Sequence, residues 1–417
     1  MYSACNIQIK KENNNLSGDI IISGSKSISN RLLILKAIYP NDIYIKNLSN
    51  CEDTKLLENS LLSSSNILDI NHAGTAMRFL TSYLSIIDKR EVILTGSKRM
   101  KERPIYILVN ALNKLGAKIT YLEKIGYPPI KIFGKKILGG EIEVNATISS
   151  QYISALMLIA SKFDNGLKII LKDKITSIPY INMTFHLLNQ IGIKILWNSN
   201  FIQIYPGKKQ IIKYFYIESD WSSASYYYSM AALSKNVKLT LKSYTKDSIQ
   251  GDKEVCYIYK KYFGISTIFS KKTIMLQKSS INFVLPKFIH LDLNKTPDIA
   301  QTIAVTCSCL RIKCLLNGLE TLKIKETDRL QALKHELYKF GIKINITNSS
   351  LEILDFFSIS NNKDYQVNTY QDHRMAMAFS AFSLFFPINI LKSNVVEKSY
   401  PLFWKDLYKL GFVIQSI

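Results

Sequence analysis

Short polar motifs rich in Lys and Arg recur along this chain, and most stand where an apolar helix is expected to begin. They read Gly-Ser-Lys-Ser-Ile-Ser-Asn-Arg (24–31), Ala-Gly-Thr-Ala-Met-Arg (73–78), Arg-Met-Lys-Glu-Arg-Pro (99–104), Lys-Glu-Thr-Asp-Arg (325–329) and Gln-Asp-His-Arg (371–374). The free N–H groups and the dipole of a helix N-terminus favour anions, so basic and hydroxyl side chains there build an anion site. Several such motifs from distant segments predict a substrate, or a pair of substrates, with more than one phosphate or carboxylate.

The first motif combines Lys26, Ser27 and Arg31 at the start of an apolar stretch. Ser27 and Arg31 are four residues apart and share one face of the predicted helix, with Lys26 at its entrance. An ordinary capped helix with solvated charges is the simpler interpretation of this motif alone. It is not a P-loop, because the pattern Gly-x-x-x-x-Gly-Lys-Ser/Thr is absent.

Two further motifs place an Arg beside a turn residue. Arg78 is predicted in the first turn of a helix near Gly74, where a cation opposes the helix dipole unless a bound anion compensates it. Arg103 precedes Pro104, which is predicted at the first position of the next helix. Neutral donors suited to phosphate or hydroxyl groups are expected at other helix starts, at Ser149, Ser150, Gln151 and Ser177.

Acidic side chains and a His accompany these cations. Asp298 stands at the start of an apolar helix, and helical spacing brings Glu326 next to Arg329, with Lys325 close by. His373 precedes a buried helix, and His is the side chain best suited to proton transfer near neutral pH. Taken singly, Asp298 is equally a helix cap, Glu326 a member of a surface ion pair, and His373 a structural residue.

Other features narrow the class of protein. The five histidines are dispersed without a His-Glu-x-x-His pattern, so no metal site is predicted. The six cysteines contain no Cys-x-x-Cys pair, so reduced thiols are expected. The first residues lack the layout of a signal peptide, and no apolar run reaches about 18 residues. These features predict a cytoplasmic protein with neither a cofactor nor a membrane partner.

The charge of the chain is strongly basic. Lys and Arg number 54 against 32 Asp and Glu, which gives a net charge of +22. Such a balance raises nucleic acids or acidic metabolites as partners. Because the lysines are spread along the chain rather than clustered, the excess charge receives little functional weight, and no nucleic-acid partner is predicted.

One structural pattern also recurs: an amphipathic helix, a Gly, and an alternating strand. Gly is expected there as the left-handed residue that ends a helix. The glycines are Gly116, Gly192, Gly264, Gly341 and Gly411, at separations of 76, 72, 77 and 70 residues. A sixth, degenerate copy is predicted at 55–70, where serines replace the Gly. A chain of 417 residues is therefore expected to be an α/β protein of two domains with three copies each.

Together with Val-Glu-Lys-Ser-Tyr-Pro (396–401), the five motifs resemble the EPSP synthase family of enolpyruvyl transferases across nearly the whole chain and in the right order. The resemblance implies a two-domain inside-out α/β barrel with six βαβαββ-type repeats, three per domain, and an active site in the interdomain cleft. The implied first domain is 23–217, and the second combines 1–22 with 218–417, so that it includes the N-terminal strand. A monomer is implied.

The implied reaction is the transfer of the enolpyruvyl group of phosphoenolpyruvate to the 5-hydroxyl of shikimate 3-phosphate, through a tetrahedral intermediate and with release of phosphate, in the shikimate pathway to aromatic amino acids. The motifs that match imply contacts to shikimate 3-phosphate from Lys26, Ser27, Arg31, Ser149, Ser150, Gln151, Ser177, Asp298 and Lys325. They imply contacts to phosphoenolpyruvate from Lys26, Gly74, Arg103, Gln151, Arg329, Arg374 and Lys398, with Arg78 in support. The implied catalytic residues are Asp298 as the base for the 5-hydroxyl, Glu326 and Lys398 for the proton that forms the methyl group, and Lys26 and His373 for the charge on the phosphate and the intermediate.

Two positions depart from the family pattern. His72 stands where many members carry Asn, and Thr321 stands where some carry Asn.

Two other functions are alternatives to the transferase. The enolpyruvyl transferases that act on UDP-N-acetylglucosamine generally carry a Cys in the loop that corresponds to 96–103, and this chain has none there. A basic nucleic-acid-binding protein is disfavoured because Asp298, Glu326 and Lys398 are retained.

Overall fold

The computed structural model describes residues 5–147, 149–173, 175–209, 211–279, 283–357 and 365–417. Contacts between residues divide the chain into two compact units. The first unit is Gly24–Ile217, and the second unit combines the segment that ends at Ser23 with Glu218–Ile417. Among the described residues, no helix is both long and apolar enough to cross a bilayer.

The first unit alternates helices and short strands. Its helices are α1 Lys26–Ile38, α2 Glu52–Leu62, α3 Gly74–Ser85, α4 Lys98–Lys101, α5 Tyr106–Lys114, α6 Ser150–Ile159 and α7 Ile178–Gln190. Its strands are β3 Ile43–Lys46, β4 Ile67–Asp69, β5 Glu91–Thr95, β6 Lys118–Tyr121, β7 Ile130–Phe133, β8 Gly140–Asn145, β9 Leu167–Lys172, β10 Ile195–Asn198, β11 Phe201–Ile204 and β12 Lys213–Tyr216.

The second unit has the same composition and contains both ends of the chain. Its helices are α8 Trp221–Leu233, α9 Val255–Phe263, α10 Ala300–Cys309, α11 Arg329–Lys339, α12 His373–Phe379 and α13 Phe403–Lys409. Its strands are β1 Asn6–Lys11, β2 Asn15–Ile21, β13 Asn236–Lys242, β14 Ile265–Ser270, β15 Thr273–Lys278, β16 Phe288–Asp292, β17 Lys313–Asn317, β18 Ile342–Ile346, β19 Leu351–Phe356, β20 Tyr365–Val367, β21 Ile388–Leu391 and β22 Phe412–Ser416.

One sheet topology is used repeatedly. Across the described ranges it occurs in five four-stranded sheets, with the strand orders β4-β5-β7-β6, β8-β9-β11-β10, β2-β13-β15-β14, β16-β17-β19-β18 and β20-β21-β1-β22. In each sheet the first two strands are parallel and the remaining neighbours are antiparallel. Parallel neighbours need a crossover, which a helix such as α3 between β4 and β5 provides, whereas antiparallel neighbours need only a hairpin. A repeated helix-and-strand sequence thus becomes a repeated sheet.

The glycines that follow the helices have the predicted conformation. Gly116, Gly192, Gly264, Gly341 and Gly411 all have positive φ angles, from 64° at Gly264 to 100° at Gly116. A residue without a Cβ atom accepts this conformation readily, so the helix ends and the next strand begins within a few residues. The predicted use of Gly as a helix terminator is confirmed.

The sixth copy of the pattern, at 55–70, differs from the other five by more than the missing Gly. After α2, Ser63 is extended, with a φ of −76° and a ψ of 136°, and the strand that follows is β4. β4 pairs in parallel with β5 and is therefore the first strand of the next sheet. In the other five copies, the strand after the Gly is antiparallel to its neighbour, which is the next strand of a hairpin or, for β22, the strand β1. The remaining pair, β3 with β12, forms a two-stranded parallel sheet. Without a Gly turn, the chain in this copy does not fold back into a hairpin.

Several helices are buried on all of their faces. In α6 nine of the ten residues are buried, and in α8 twelve of thirteen are. A helix that is apolar all round belongs inside its unit, whereas strands such as β8 alternate buried and exposed residues and therefore face solvent on one side. α6 and α8 are therefore interior elements, and they can contribute to a site only at their ends.

Candidate active site

In the first unit, α1 contacts α3, α6 and α7, and α6 contacts α3 and α7. Gln151, in the first turn of α6, donates through Nε2 to Thr75 Oγ1 in the first turn of α3 at 3.1 Å. Arg31, in the second turn of α1, donates to the carbonyl oxygen of Tyr180 in the first turn of α7 at 3.1 Å. Each of these N-termini contributes free N–H groups and the positive end of a dipole, so the group favours a bound anion.

Arg31 is buried within this group of helices. Its guanidinium donates to Thr184 Oγ1 at 2.7 Å, to the Ser27 carbonyl at 2.8 Å and to Ser154 Oγ at 3.2 Å. Burial lowers the pKa of Arg31 to about 10, which still leaves it positive at neutral pH. Arg31 therefore joins α1, α6 and α7 and adds a fixed positive charge beneath their first turns.

Lys26, the first residue of α1, pairs with a carboxylate that the sequence analysis did not single out. Its Nζ lies 3.1 Å from Asp53 Oδ2, and Asp53 is buried in the first turn of α2. This contact limits the rotamers of a flexible side chain and so fixes the ammonium group at the helix entrance. The available signal was the acidic residue in the first turn of a predicted helix, which ordinary capping already explains.

Gly74 and Arg103 are in direct contact. A Cβ atom on Gly74 would lie 2.5 Å from Nη1 and 2.9 Å from Cζ of Arg103, so only Gly allows this approach. Arg78 supports the contact, because it donates to the Gly74 carbonyl at 3.0 Å and to the Pro104 carbonyl at 3.1 Å. Arg78 is the fifth residue of α3, so its predicted place in the first turn is wrong. Pro104 is likewise not the first helical residue, since α5 begins at Tyr106.

The serines predicted at helix starts are found there. Ser149 is the N-cap of α6, and its Oγ accepts from the Gln151 N–H at 3.3 Å. Ser150 is the buried first residue of the same helix. Ser177 is the N-cap of α7 and has a φ of 54°, a left-handed conformation that is unfavourable for any residue with a Cβ atom. Such strain is typical of residues that the surrounding structure holds in place for binding.

In the second unit, Asp298 is surrounded by three cations. Its Oδ1 lies 3.2 Å from Nη1 of Arg329 and 3.5 Å from Nζ of Lys325. Its Oδ2 lies 3.1 Å from Nη2 of Arg374, whose Nη1 also donates to the Asp298 carbonyl at 2.8 Å. Pro297 opens a short 3₁₀ turn that leads into α10 and fixes the backbone at this point. The carboxylate is therefore held at a helix entrance among groups that favour its charged form.

Arg329 links three carboxylates. Its Nε lies 2.7 Å from Asp372 Oδ2, and its Nη2 lies 2.8 Å from Glu326 Oε2, in addition to the contact with Asp298. Burial by itself would lower the pKa of Arg329, but the charges of Asp372 and Glu326 outweigh it and raise the pKa. The guanidinium is thus a permanent cation that holds the acidic groups at fixed distances.

Lys398 and His373 complete this cluster. Lys398 Nζ lies 3.7 Å from Glu326 Oε1, and both side chains are largely buried. His373 is the buried first residue of α12, with its Nδ1 3.6 Å from Asp372 Oδ1. Asp372 also caps α12 by accepting from the Arg374 N–H at 2.9 Å. The cluster therefore combines a His, a Lys and a carboxylate whose positions all depend on Arg329 and Asp372.

Similarity to known proteins identifies the family of this chain. A family model described as EPSP synthase (3-phosphoshikimate 1-carboxyvinyltransferase) matches residues 10–62 and 56–407. A 3-phosphoshikimate 1-carboxyvinyltransferase of Bacteroides fragilis (strain YCH46) is 41% identical over 401 residues, which covers 96% of this chain and 97% of that protein. The chain belongs to the EPSP synthase family.

Further relatives and solved structures are similar over the same length. The 3-phosphoshikimate 1-carboxyvinyltransferase of Buchnera aphidicola subsp. Cinara cedri is 36% identical over 425 residues, with 95% of each chain covered. The structure of EPSP synthase from Acinetobacter baumannii has a TM-score of 0.75 at 19% identity and covers 98% of this chain and 99% of its own. The enolpyruvyl transferase NikO from Streptomyces tendae has a TM-score of 0.71 at 12% identity, with 99% of each chain covered. These two structures support the same mixed α/β fold with several sheets.

Of the two positions that depart from the EPSP synthase pattern, His72 lies in the first unit and Thr321 in the second. His72 Nδ1 is 2.7 Å from Ser97 Oγ, and Ser97 caps α4 by accepting from the Met100 N–H. His72 is therefore tied to the segment that leads to Arg103. Thr321 is nine-tenths buried, and its Oγ1 has no hydrogen-bond partner within the described part of the chain. Within those ranges, no group of three or more His, Cys, Asp or Glu side chains is arranged to hold a metal ion.

Asp252 is a further buried acid that the motifs did not reveal. It accepts a hydrogen bond from Ser222 Oγ at the start of α8 and interacts electrostatically with Asp298. Burial first and the charge of Asp298 second raise the pKa of Asp252 to about 7, while Arg374 opposes the shift. No local pattern marks Asp252, because it follows Gly251 in a short 3₁₀ turn and approaches Asp298 only through tertiary packing.

This raised pKa predicts a specific pH dependence of stability. Between about pH 4 and pH 7, the native state holds a proton on Asp252 that the unfolded state has released, so stability falls as the pH rises through this window. Asp252→Asn cannot ionise. We therefore expect the free energy of unfolding of Asp252→Asn in urea, taken relative to the unsubstituted protein, to be more positive (more stable) at pH 8 than at pH 5. Asp247→Asn, at an exposed position, is the control. An equal difference at both pH values would contradict the prediction.

Proposed function

We propose that this chain carries out the reaction of its family with the residues of the two clusters. The reaction transfers the enolpyruvyl group of phosphoenolpyruvate to the 5-hydroxyl of shikimate 3-phosphate, releases phosphate, and serves the shikimate pathway. The observation that carries the proposal is the family match over nearly the whole chain. The ion pairs that join Asp298, Glu326 and Lys398 to one another through Arg329 support the roles proposed for these residues.

The charges of the clusters suit two polyanionic substrates. In the first unit the cations are Lys26, Arg31, Arg78 and Arg103, beside the single buried carboxylate of Asp53. In the second unit the cations are Lys325, Arg329, Arg374 and Lys398, beside Asp298, Glu326 and Asp372. Fixed cations offset the repulsion between the two substrates and orient them, which replaces a bimolecular encounter by a positioned one. The ion pairs to Asp298 hold its cations in place until the anionic groups of the substrates compete for them.

The assignment of substrate contacts follows the family motifs. For shikimate 3-phosphate we propose Lys26, Ser27, Arg31, Ser149, Ser150, Gln151, Ser177, Asp298 and Lys325. For phosphoenolpyruvate we propose Lys26, Gly74, Arg103, Gln151, Arg329, Arg374 and Lys398. The contacts of Gln151 with Thr75 and of Gly74 with Arg103 support these sets, because they bring residues from different motifs together within the first unit.

The proton transfers are assigned to the second unit. Asp298 accepts the proton of the 5-hydroxyl as its oxygen attacks C2 of phosphoenolpyruvate, and Glu326 with Lys398 delivers a proton to C3, which becomes a methyl group. Loss of a proton from C3 and of phosphate from C2 then yields the product. Lys26 and His373 stabilise the charge on the phosphate and the tetrahedral intermediate. The 3.7 Å approach of Lys398 to Glu326 supports a shared role in the transfer at C3.

We also propose the family architecture in full. It is a two-domain inside-out α/β barrel with domains at 23–217 and at 1–22 plus 218–417, whose substrates are bound in a cleft by residues of both domains. The buried helices and the repeated sheets within each unit support this arrangement. Residues 1–4 of the second domain lie outside the described ranges. A cytoplasmic monomer is proposed as the working form.

Phosphate release by the purified protein tests the function. Release with shikimate 3-phosphate and phosphoenolpyruvate together, but with neither alone, is the expected result. UDP-N-acetylglucosamine in place of shikimate 3-phosphate is the control for the related reaction. Release with the sugar nucleotide only, or no release from a protein with a cooperative unfolding transition, would contradict the proposal.

Gly74→Ala tests the proposed pocket for phosphoenolpyruvate. The new methyl group would lie 2.5 Å from Arg103 Nη1, so the guanidinium must move, whereas the backbone at Gly74 already has an ordinary helical conformation. We expect KM for phosphoenolpyruvate to rise about tenfold or more, with little change in KM for shikimate 3-phosphate and in the melting temperature. Steady-state kinetics at varied phosphoenolpyruvate measures the effect, and an unchanged KM would argue against this placement of Arg103.

A further inference from the structure

We propose that Glu336 and Tyr370 form a positioning pair that fixes the segment carrying Asp372, His373 and Arg374. Neither residue belongs to the substrate-binding or proton-transfer sets. The inference rests on the roles proposed above for Arg329 and Arg374, and it concerns how those side chains are held rather than what they bind.

The backbone before Asp372 has an unusual conformation. Tyr370 and Gln371 have φ angles of 53° and 58°, so two successive residues with side chains are left-handed. This conformation brings Cβ too close to the backbone and is unfavourable for both residues. It persists only where neighbouring contacts hold it, and such strain clusters at functional sites.

Glu336 supplies those contacts. Its carboxylate is fully buried and accepts from Tyr370 Oη at 2.7 Å, from the Asn368 N–H at 3.1 Å and from Lys339 Nζ at 2.6 Å. A buried carboxylate is costly unless several donors satisfy it, and two of these three donors belong to the strained segment. Burial first and Glu336 second raise the pKa of Tyr370, so its phenol keeps the proton that it donates.

The same helix holds the other end of the segment. Arg329 and Glu336 are seven residues apart in α11 and therefore share one face of the helix, two turns apart. Arg329 binds the Asp372 carboxylate at 2.7 Å, while Glu336 binds Tyr370. Between these points, the Asp372 N–H closes a turn onto the Thr369 carbonyl at 2.8 Å. α11 thus clamps the left-handed turn at two places.

Loss of the contact between Tyr370 and Glu336 is expected to affect Arg374, which is proposed to bind substrate, through Asp372. Asp372 caps α12 at the Arg374 N–H, and Arg374 in turn contacts both the carbonyl and the carboxylate of Asp298. If the Tyr370 contact is lost, the strained turn can relax toward an ordinary conformation and displace Asp372 and Arg374 together. An i, i+3 ion pair of Glu336 with Lys339 alone would stabilise α11 without this effect.

Tyr370→Phe is the decisive variant, because it removes only the hydroxyl that Glu336 accepts. We expect kcat/KM for phosphoenolpyruvate to fall about tenfold or more, with KM for shikimate 3-phosphate within about twofold, and with a cooperative unfolding transition retained. Tyr338→Phe, at a Tyr of α11 that is 68% exposed, is the matched control and is expected to match the unsubstituted protein.

Two substitutions at Glu336 separate positioning from simple stability. Glu336→Gln keeps an acceptor for Tyr370 and is expected to be milder than Glu336→Ala. In a double-mutant cycle on kcat/KM, Glu336→Ala and Tyr370→Phe are expected to be strongly non-additive, since both remove the same contact. If Glu336→Ala does not fold, the comparison of Tyr370→Phe with Tyr338→Phe decides the inference by itself.

The outcomes test the positioning pair separately from the proposed role of Arg374 in substrate binding. If Arg374→Ala impairs phosphoenolpyruvate kinetics while Tyr370→Phe behaves like Tyr338→Phe, the positioning pair is refuted and the site assignment stands. If Arg374→Ala has no effect in an active protein, the assignment of Arg374 fails and the inference fails with it. A loss of melting temperature in Tyr370→Phe with unchanged kinetics of the folded protein would show a purely structural role.

Discussion

Asp298→Asn is expected to lower kcat by about a thousandfold, within the usual range for removal of a general base. Asn has nearly the shape of Asp, and its single side-chain oxygen can still accept from Arg329, while Arg374 keeps its hydrogen bond to the backbone carbonyl of residue 298. Asn cannot, however, take the proton of the 5-hydroxyl. Substrate binding should therefore be kept while turnover is lost. Phosphate release at saturating substrates measures kcat, and calorimetric titration measures binding.

The interpretation of this variant depends on a control for charge. Asp355→Asn removes a carboxylate from an exposed position in the same unit, where the nearest cation, Lys313, lies 3.9 Å away, and should leave kcat unchanged. If Asp298→Asn turned over as fast as the unsubstituted protein, Asp298 would not be the base. If it lost binding together with turnover, its role would be to hold the three cations.

Arg103→Ala is expected to lower kcat/KM for phosphoenolpyruvate by about a hundredfold, mainly through KM, because one charge-assisted contact contributes about 1.5–3 kcal/mol. The guanidinium is buried against Gly74, where few water molecules screen its charge. KM for shikimate 3-phosphate should change little. Steady-state kinetics with each substrate varied in turn provides both values.

A neighbouring Arg provides the control for this prediction. Arg99→Ala changes the same segment, but Arg99 is partly exposed and pairs with the exposed Glu102 at 3.1 Å, so a small effect is expected. Arg103→Lys should be intermediate, since Lys keeps the charge but lacks the planar fork that binds a carboxylate or phosphate at two points. Equal kinetics for Arg99→Ala and Arg103→Ala would overturn the assignment of Arg103.

The ion pairs of the second unit also explain why its cations keep their positions without substrate. Arg329 meets Asp298, Glu326 and Asp372, so its side chain has little freedom before any ligand is bound. Long basic side chains lose rotamer entropy when a ligand immobilises them, and prior pairing removes part of that cost. The carboxylates therefore serve the binding of anions as well as proton transfer.

Much of this protein could be predicted from local sequence. Five helices end where a Gly adopts the left-handed conformation that ends a helix. This requirement concerns a single residue type at a single position, so it can be recognised in the amino-acid sequence. The predicted contact of Glu326 with Arg329 is present, but helical spacing is not its cause, because α11 begins at Arg329 and Glu326 precedes it. The family motifs added the expected order of the functional residues along the chain, because the types and spacing of these residues are specific when the motifs occur together.

The contacts between residues that are distant in sequence depend on the tertiary structure. Asp53 reaches Lys26, Asp252 interacts with Asp298, and Glu336 holds Tyr370, across 27, 46 and 34 residues of sequence respectively. No local pattern distinguishes these acids from helix caps and surface charges, because their role depends on burial and on a partner from another element. The repeated units of helix, Gly and strand, and the chemical groups available to a site, are already visible in the amino-acid sequence. Only the packing of those units determined which charges are buried together, and burial makes their pairing strong enough to fix a site.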